Sequence, residues 1–156
     1  MSGIVQVISH RGNLWGPNPV YENRPEYIDF TIIEGFVVEI DLHANNSGGL
    51  FLGHDKSQYA TDLSWLLNRS KNLIVHCKNL SALQEVSRYT SIHYFYHEND
   101  PYTITSHGFI WAHPDVEVPK ATKVIAVNSS GTFNIDYYKV YGVCTDYAMS
   151  MKDMLK

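Results

Sequence analysis

The sequence FVVEID at residues 36–41 decides the fold: it is an apolar, β-branched run that contains Glu39 and ends at Asp41. A continuous apolar run of this length is typical of a strand buried on both faces, as in a parallel sheet. Shorter apolar runs also end in polar residues, at 5–9 before His-Arg-Gly, at 50–52 before Gly-His-Asp and at 73–75 before His-Cys-Lys. The sequence therefore predicts several buried strands that carry polar side chains at their ends.

Helical segments lie between several of these strands. Residues 25–34 begin with Pro25 and are followed by Gly35, which favour the start and the end of a helix. Residues 61–68 and 80–89 have apolar residues at helical spacing. Strands that alternate with helices predict an α/β protein with a parallel sheet.

The second half of the chain follows a different pattern. Strands are predicted at 92–97, 103–105, 109–112, 123–127 and 140–145, and their connections contain prolines and leave little room for helices. A complete (β/α)₈ barrel usually takes about 250 residues, and this chain has 156. A barrel would therefore lack several helices, and an open α/β sheet is the alternative.

Composition argues against several classes of protein. The net charge is −4 with no basic cluster, which speaks against nucleic-acid binding because phosphates require a positive surface. The apolar runs are too short to cross a bilayer, and the first residues lack the pattern of a secretory signal. Two cysteines do not make a disulfide framework. We expect a single soluble domain over residues 1–156 in the cytoplasm, without a membrane partner.

Glu39 and Asp41 are two residues apart in the predicted strand, so their side chains point to the same face. Two such carboxylates in a low-dielectric site need a cation, and oxygen ligands suit Mg²⁺ or Ca²⁺. A surface strand with two solvated acids is the alternative. His10 and His54 each follow a predicted strand and can act as acid and base, while the Arg11 guanidinium suits a phosphate. The remaining histidines with an expected structural or surface role are His43, His93, His107 and His113.

The order of these motifs resembles the glycerophosphodiester phosphodiesterase family. The motifs are His10-Arg11-Gly12, Glu22-Asn23 before a helix, Glu39-x-Asp41, His54-Asp55 and a closing strand at 142–147. The resemblance implies a TIM barrel and a metal-dependent phosphodiesterase for small glycerophosphodiester-like substrates. It places His10 and His54 as acid and base, Glu39 and Asp41 on one divalent ion, and Arg11 on the phosphate. The fold we expect is an α/β, reduced TIM-like (β/α) barrel with helices missing or shortened in its second half.

The chain departs from the family's pattern in two places. The family's next strand normally ends in Glu-x-Lys, with the Glu on the metal and the Lys on the phosphate, whereas this chain has His76-Cys77-Lys78. A neutral His76 can still bind the metal beside Glu39 and Asp41. A site with this imidazole favours Mn²⁺ or Zn²⁺ more than a site with the family's glutamate does. The alternative is that His76 binds no metal. The family's usual insertion after His-Asp is also missing, which predicts an open cleft.

For several other residues the sequence leaves the role open. Asn23 is expected to cap the helix that follows, and Glu22 is either a metal ligand or a partner of one. His97, Trp111 and Asp146 stand at strand ends and are candidate substrate contacts. Cys77 is expected to be a small packed residue.

The leading interpretation is an enzyme, a phosphoric diester hydrolase. Its alternatives are a non-catalytic binding module for a phosphorylated polyol or sugar on the same scaffold, and a structural protein with relic sites. Strands between 92 and 127 that lack helices would expose apolar side chains, which predicts a homodimer unless loops fold over them.

Overall fold

The computed structural model describes residues 3–121, 123–133, 137 and 139–156. The strands are β1 (Gln6–His10), β2 (Val37–Ala44), β3 (Leu50–Leu52), β4 (Tyr59–Thr61), β5 (Leu73–Cys77), β6 (His93–Tyr96), β7 (Tyr102–Ile104), β8 (Ile110–Ala112), β9 (Val124–Asn128) and β10 (Gly142–Thr145). The helices are α1 (Pro25–Ile33), α2 (Leu63–Asn68), α3 (Leu80–Val86) and α4 (Ala148–Met154), and a 3₁₀ turn spans Ser70–Asn72.

All ten of these strands belong to one curled sheet. Seven run parallel in the order β6-β5-β2-β1-β10-β9-β8. The two ends of this series approach each other through the β7–β8 hairpin, where the Ser106 N–H donates to the Tyr94 carbonyl at 2.7 Å and the Phe95 and Trp111 rings stack at 4.3 Å. The predicted reduced barrel is confirmed.

The barrel interior is filled by side chains from six of the parallel strands. They are Ile8, Ile74, Phe95, Trp111, Ile125 and Cys144. Cys77 belongs instead to the cluster between the sheet and the helices of the first half, so the two free cysteines lie in different clusters. Burial raises the pKa of the Cys77 thiol to about 12, which fits the small packed residue expected from the sequence.

Two segments differ from the expectation of strictly alternating strands and helices. β3 pairs antiparallel with the end of β2, and β4 extends the same hairpin, because the chain turns back at once through Asn45 to Gly49. The helix predicted from Thr61 begins at Leu63, since Thr61 belongs to β4 and the Asp62 carboxylate caps α2 by accepting from the Trp65 N–H. α4 was not predicted.

Loops cover much of the second half of the barrel. Among the residues that the structure describes, no α-helix lies between β6 and β10. Val116 and Val118 of the loop after β8 pack instead against the cluster that contains Ala112, Val124 and Ala126. The loop covers part of the apolar surface that the predicted dimer would bury. Exposed apolar side chains remain on β7, at Tyr102 and Ile104. None of the helices in the described ranges is long and apolar enough to span a membrane.

Candidate active site

A cleft of about 420 Å³ opens at the carboxyl ends of the parallel strands. All seven residues predicted for catalysis, metal binding or phosphate binding lie in or directly beside it. Six of them line the cleft, namely His10, Arg11, Glu39, His54, His76 and Lys78, and Asp41 contacts three of these six. A larger cavity of about 770 Å³ lies beneath the loop after β8 and is lined by none of the seven.

Glu39, Asp41 and His76 converge because β2 and β5 are neighbouring parallel strands in which Asp41 and His76 are register partners. His76 Nδ1 lies 3.3 Å from Asp41 Oδ1 and 3.8 Å from Glu39 Oε1. One possible ligand atom from each residue falls within 4.8 Å of the others. Glu39 Oε2 and Asp41 Oδ1 are buried and have no hydrogen-bond partner among the described residues. These unpaired acceptors fit a divalent cation.

The two carboxyl groups differ in acidity. Burial and the neighbouring Asp41 charge raise the pKa of Glu39. Burial also acts to raise the pKa of Asp41, but contacts with His54 and His76 and the charge of Arg11 outweigh it and hold that pKa well below its usual value. Asp41 is therefore an anion at neutral pH, and a second anion beside it at Glu39 requires a compensating positive charge.

Asn23 holds the Asp41 carboxylate in place. Its Nδ2 donates to Asp41 Oδ2 at 2.9 Å, and its Oδ1 accepts from the Asp41 backbone N–H at 2.9 Å. The expectation that Asn23 caps α1 is wrong: the residue before the helix is Arg24, and Asn23 has a left-handed backbone with φ of 64°. That conformation turns its side chain back toward β2, which an asparagine tolerates better than most residues.

His10 is oriented by Asp146, which follows β10 beside β1. His10 Nδ1 lies 2.8 Å from Asp146 Oδ1, while Nε2 lies 3.7 Å from Glu39 Oε2. Asn13 Nδ2 donates to the same Asp146 oxygen at 2.8 Å. Burial acts to lower the pKa of His10, but the Asp146 hydrogen bond and the Glu39 charge outweigh it and leave that pKa raised. The arrangement directs the Nε2 edge of the ring toward the carboxylates.

Arg11 connects the acidic groups to His54. Its Nε lies 3.0 Å from Asp41 Oδ2, Nη1 donates to Glu22 Oε2 at 3.3 Å, and Nη2 donates to His54 Nδ1 at 2.6 Å. Glu22 also accepts from the Asn13 side chain and lies outside the group of possible metal ligands. Glu22 is therefore a partner of Arg11 in this structure. Arg11 has five N–H groups, so these contacts leave donors for a ligand.

Two loops supply further cationic and polar groups. Lys78 follows β5, where its backbone N–H donates to the Leu42 carbonyl at 2.8 Å, and it lines the cleft. Its ammonium group makes no hydrogen bond or ion pair among the described residues. His54 follows Gly53, whose φ is 151° and where a Cβ would collide with the Lys56 carbonyl. The glycine thus permits the tight turn that brings His54 back over Asp41, with His54 Nδ1 3.5 Å from Asp41 Oδ2.

The opposite wall of the cleft is built from rings. His97 stacks on His76 with centroids 4.7 Å apart, and its Nδ1 is buried with no partner among described residues. Trp111 is buried against Phe95 and also lines the cleft. His113 lines it too, and its edge-on ring lies 5.6 Å from His97.

His113 therefore forms part of the cleft wall, in addition to the structural or surface role expected from the sequence. Its signal in the sequence was its position directly after a predicted strand, which it shares with His10. The other three histidines with an expected structural role do bond within the fold: His43 to the Gly53 carbonyl, His93 to Thr105 and His107 to the Thr90 carbonyl.

Comparison with solved structures finds the same fold in glycerophosphodiester phosphodiesterases. The enzyme from Parabacteroides distasonis superimposes with a TM-score of 0.60 at 14% identity over 97% of both chains. That from Thermotoga maritima has a TM-score of 0.55 at 14% identity over 96% of this chain and 98% of its own. A phosphodiesterase from Oleispira antarctica, solved with the product sn-glycerol-3-phosphate, has a TM-score of 0.53 at 16% identity over 96% of both chains.

Neither a protein-family model nor a curated protein matches the chain. At the low identities of the solved structures, the likeness shows the fold: this chain has the barrel of the glycerophosphodiester phosphodiesterases in a shortened form.

Proposed function

We propose that this protein hydrolyses a phosphodiester of the glycerophosphodiester class, with one divalent ion held by Glu39, Asp41 and His76. The observation that supports this most strongly is the pair of buried, unpartnered carboxylate oxygens on Glu39 and Asp41, which face two histidines in one cleft. Buried acceptors without partners are costly unless a ligand compensates them. The shared fold of the solved phosphodiesterases is the second support.

The residues around the cleft have different roles in the proposed reaction. The bound ion supplies stabilisation of the charge on the phosphate oxygens. His10, held at Nδ1 by Asp146, and His54, on the other side of Arg11, transfer protons to and from the reacting oxygens. Arg11 and Lys78 bind the non-bridging phosphate oxygens through charge-assisted hydrogen bonds.

The substrate is a small molecule. The Oleispira neighbour holds sn-glycerol-3-phosphate as its product, and a cleft of about 420 Å³ has room for a phosphate and a short polyol. His97 and Trp111, on the ring-lined wall, contact the alcohol portion. We expect no nucleic-acid partner because the chain carries a net charge of −4.

The rival function is a non-catalytic binding module for a phosphorylated polyol or sugar. The replacement of the family's Glu by His76 favours it, whereas the retained pair of His10 and His54 favours turnover.

We further propose a single cytoplasmic domain and a homodimer that uses the exposed side chains of β7, where Tyr102 and Ile104 are 40% and 66% exposed.

The test is hydrolysis of a panel of phosphodiesters with Mg²⁺, Ca²⁺, Mn²⁺ and Zn²⁺, comparing the wild-type protein with His10→Ala. Removal of a general acid or base typically lowers the rate by about 10²–10⁴-fold. The matched control is His107→Ala, which removes an exposed imidazole outside the cleft. Binding of a phosphorylated polyol without hydrolysis would support the rival, and hydrolysis that His10→Ala leaves unchanged would refute the mechanism.

A further inference from the structure

The ring of His76 packs against two rings on the neighbouring strand β6 and the residue after it. Phe95 stacks on it with centroids 4.7 Å apart and planes at 14°, and His97 stacks on it at 4.7 Å and 5°. Phe95 and His97 are only 5.8 Å from each other, so they do not lie on opposite faces of His76. In this packing His76 Nδ1 lies 3.3 Å from Asp41 Oδ1 and 3.8 Å from Glu39 Oε1.

One donor atom each from Glu39, Asp41 and His76 lies within 4.8 Å of the other two. His76 Nδ1 lies only 3.3 Å from Asp41 Oδ1, yet that oxygen has no partner with hydrogen-bond geometry among the described residues. Glu39 Oε2 is equally unpaired, and both carboxylates are 1% exposed. Arg11 Nε lies 3.0 Å from Asp41 Oδ2, but the two unpaired oxygens remain without a donor, and a cation shared between them would offset the cost of their burial.

The chemistry of the donors differs from that of a site for a hard ion. Mg²⁺ and Ca²⁺ are bound in proteins by oxygen atoms, and Ca²⁺ takes about 6–8 of them. Here one of three protein donors is an imidazole nitrogen, which suits first-row transition metals, and the carboxylate pair supplies a charge that balances one divalent ion. Substitution of a carboxylate by an imidazole also removes one negative charge, which weakens a purely electrostatic hold on Mg²⁺ or Ca²⁺.

We propose that His76 ligates the ion through Nδ1 and makes the site selective for a divalent transition metal of the Mn²⁺, Co²⁺ or Zn²⁺ type over Mg²⁺ and Ca²⁺. This inference rests on the metal site of the proposed function and adds the atom through which His76 ligates and the class of metal that the site selects. The competing arrangement is a protonated His76 that forms ion pairs with the two carboxylates and occupies the position of the metal.

The experiment measures metal binding directly, without turnover. Mn²⁺ is titrated into the protein by electron paramagnetic resonance, and pulsed measurements then look for coupling between the bound ion and a histidine ¹⁴N nucleus. The expected result is one tight Mn²⁺ site with ¹⁴N coupling, which changes to the ¹⁵N pattern when the protein is labelled with ¹⁵N-histidine. This arm needs no variant and so does not depend on the folding of one.

Selectivity is measured by competition with Mg²⁺ and Ca²⁺. The ratio of Mg²⁺ to Mn²⁺ dissociation constants should fall by about 10-fold or more in His76→Gln, the scale on which changes around a metal site alter affinity. His76→Gln keeps a neutral side chain of similar length, and circular dichroism checks that it is folded. His107→Gln, outside the cleft, is the control and should leave the ratio unchanged.

The outcomes separate this inference from the proposed function. Mn²⁺ bound without histidine coupling, or a ratio unaltered in a folded His76→Gln protein, overturns the role of His76. If His10-dependent hydrolysis persists with Mg²⁺ in that case, the proposed hydrolysis stands with the ion held by Glu39 and Asp41 without His76. A protein that binds no ion at all overturns both the inference and the metal-dependent mechanism.

Discussion

Asn23 gives the sharpest test of how the site is held together. It is 1% exposed and makes two hydrogen bonds to Asp41, one to the carboxylate and one from the backbone N–H. A hydrogen bond to a charged group contributes about 1.5–3 kcal/mol and a neutral one about 0.5–1.5 kcal/mol. Asn23→Gly removes both bonds and accepts the left-handed backbone, so we expect it to lower the free energy of unfolding by about 2–4 kcal/mol.

Asn23→Ala removes the same bonds and adds backbone strain. An alanine at a φ of 64° costs roughly 1–2 kcal/mol more than a glycine. Asp115 offers a matched control because it is exposed and has nearly the same backbone, with a φ of 66°. Asp115→Ala should lower the free energy of unfolding by the backbone strain alone, and Asp115→Gly should leave the free energy of unfolding nearly unchanged.

The assay is urea and thermal unfolding followed by circular dichroism. For a domain of this size, a loss of about 2–4 kcal/mol lowers the melting temperature by roughly 5–15 °C. Metal affinity should fall in parallel by about 10–100-fold, because Asp41 loses the group that orients it. An Asn23→Gly protein as stable as the wild type, with unchanged Mn²⁺ affinity, would refute the claim that Asn23 supports Asp41.

Three further predictions follow from the same structure. Asp41→Asn should abolish metal-dependent hydrolysis and leave the circular dichroism spectrum nearly unchanged, because it removes a ligand charge and keeps the shape; a fully active variant would contradict this. The pKa of His93 is lowered to about 4 by burial and by His107, so the unfolded chain binds more protons between pH 6.5 and about 4 and stability falls as the pH falls through that range; His93→Gln should flatten the dependence in urea unfolding. Light scattering should give twice the chain mass of 17.8 kDa, and a mass that stays at the monomer value with rising concentration would exclude the dimer.

The clustering of Glu39, Asp41 and His76 could be predicted from the sequence because it depends on local geometry. Glu39 and Asp41 share a face through the period of two in a strand, and His76 lies near the end of β5, which is beside β2 in the barrel. Lys78 follows two residues later and lines the same cleft. No information about distant segments beyond the order of the strands was needed.

The supporting residues could not be predicted in the same way. Asn23 precedes a helix, and only its left-handed backbone turns it toward Asp41. The bond between His10 and Asp146 joins the two ends of the chain, so it exists only once β10 lies beside β1. The antiparallel β3 did have a signal, since the Asn-Asn-Ser-Gly-Gly sequence at 45–49 is typical of a hairpin turn.

The distribution of helices explains how a short chain can keep such a site. α1 packs against β2, α3 against β2 and β5, and α4 against β1 and β10, and these four strands position His10, Asp41, His76 and Asp146. In the described part of the second half, loops cover β8 and β9 instead, and the cleft wall there supplies His113 and Trp111. Proton transfer and metal ligation tolerate errors of only about 0.5 Å, whereas contacts to the alcohol portion of a substrate tolerate more. In the proposed function, the helices therefore lie behind the strands whose side chains require the most accurate placement.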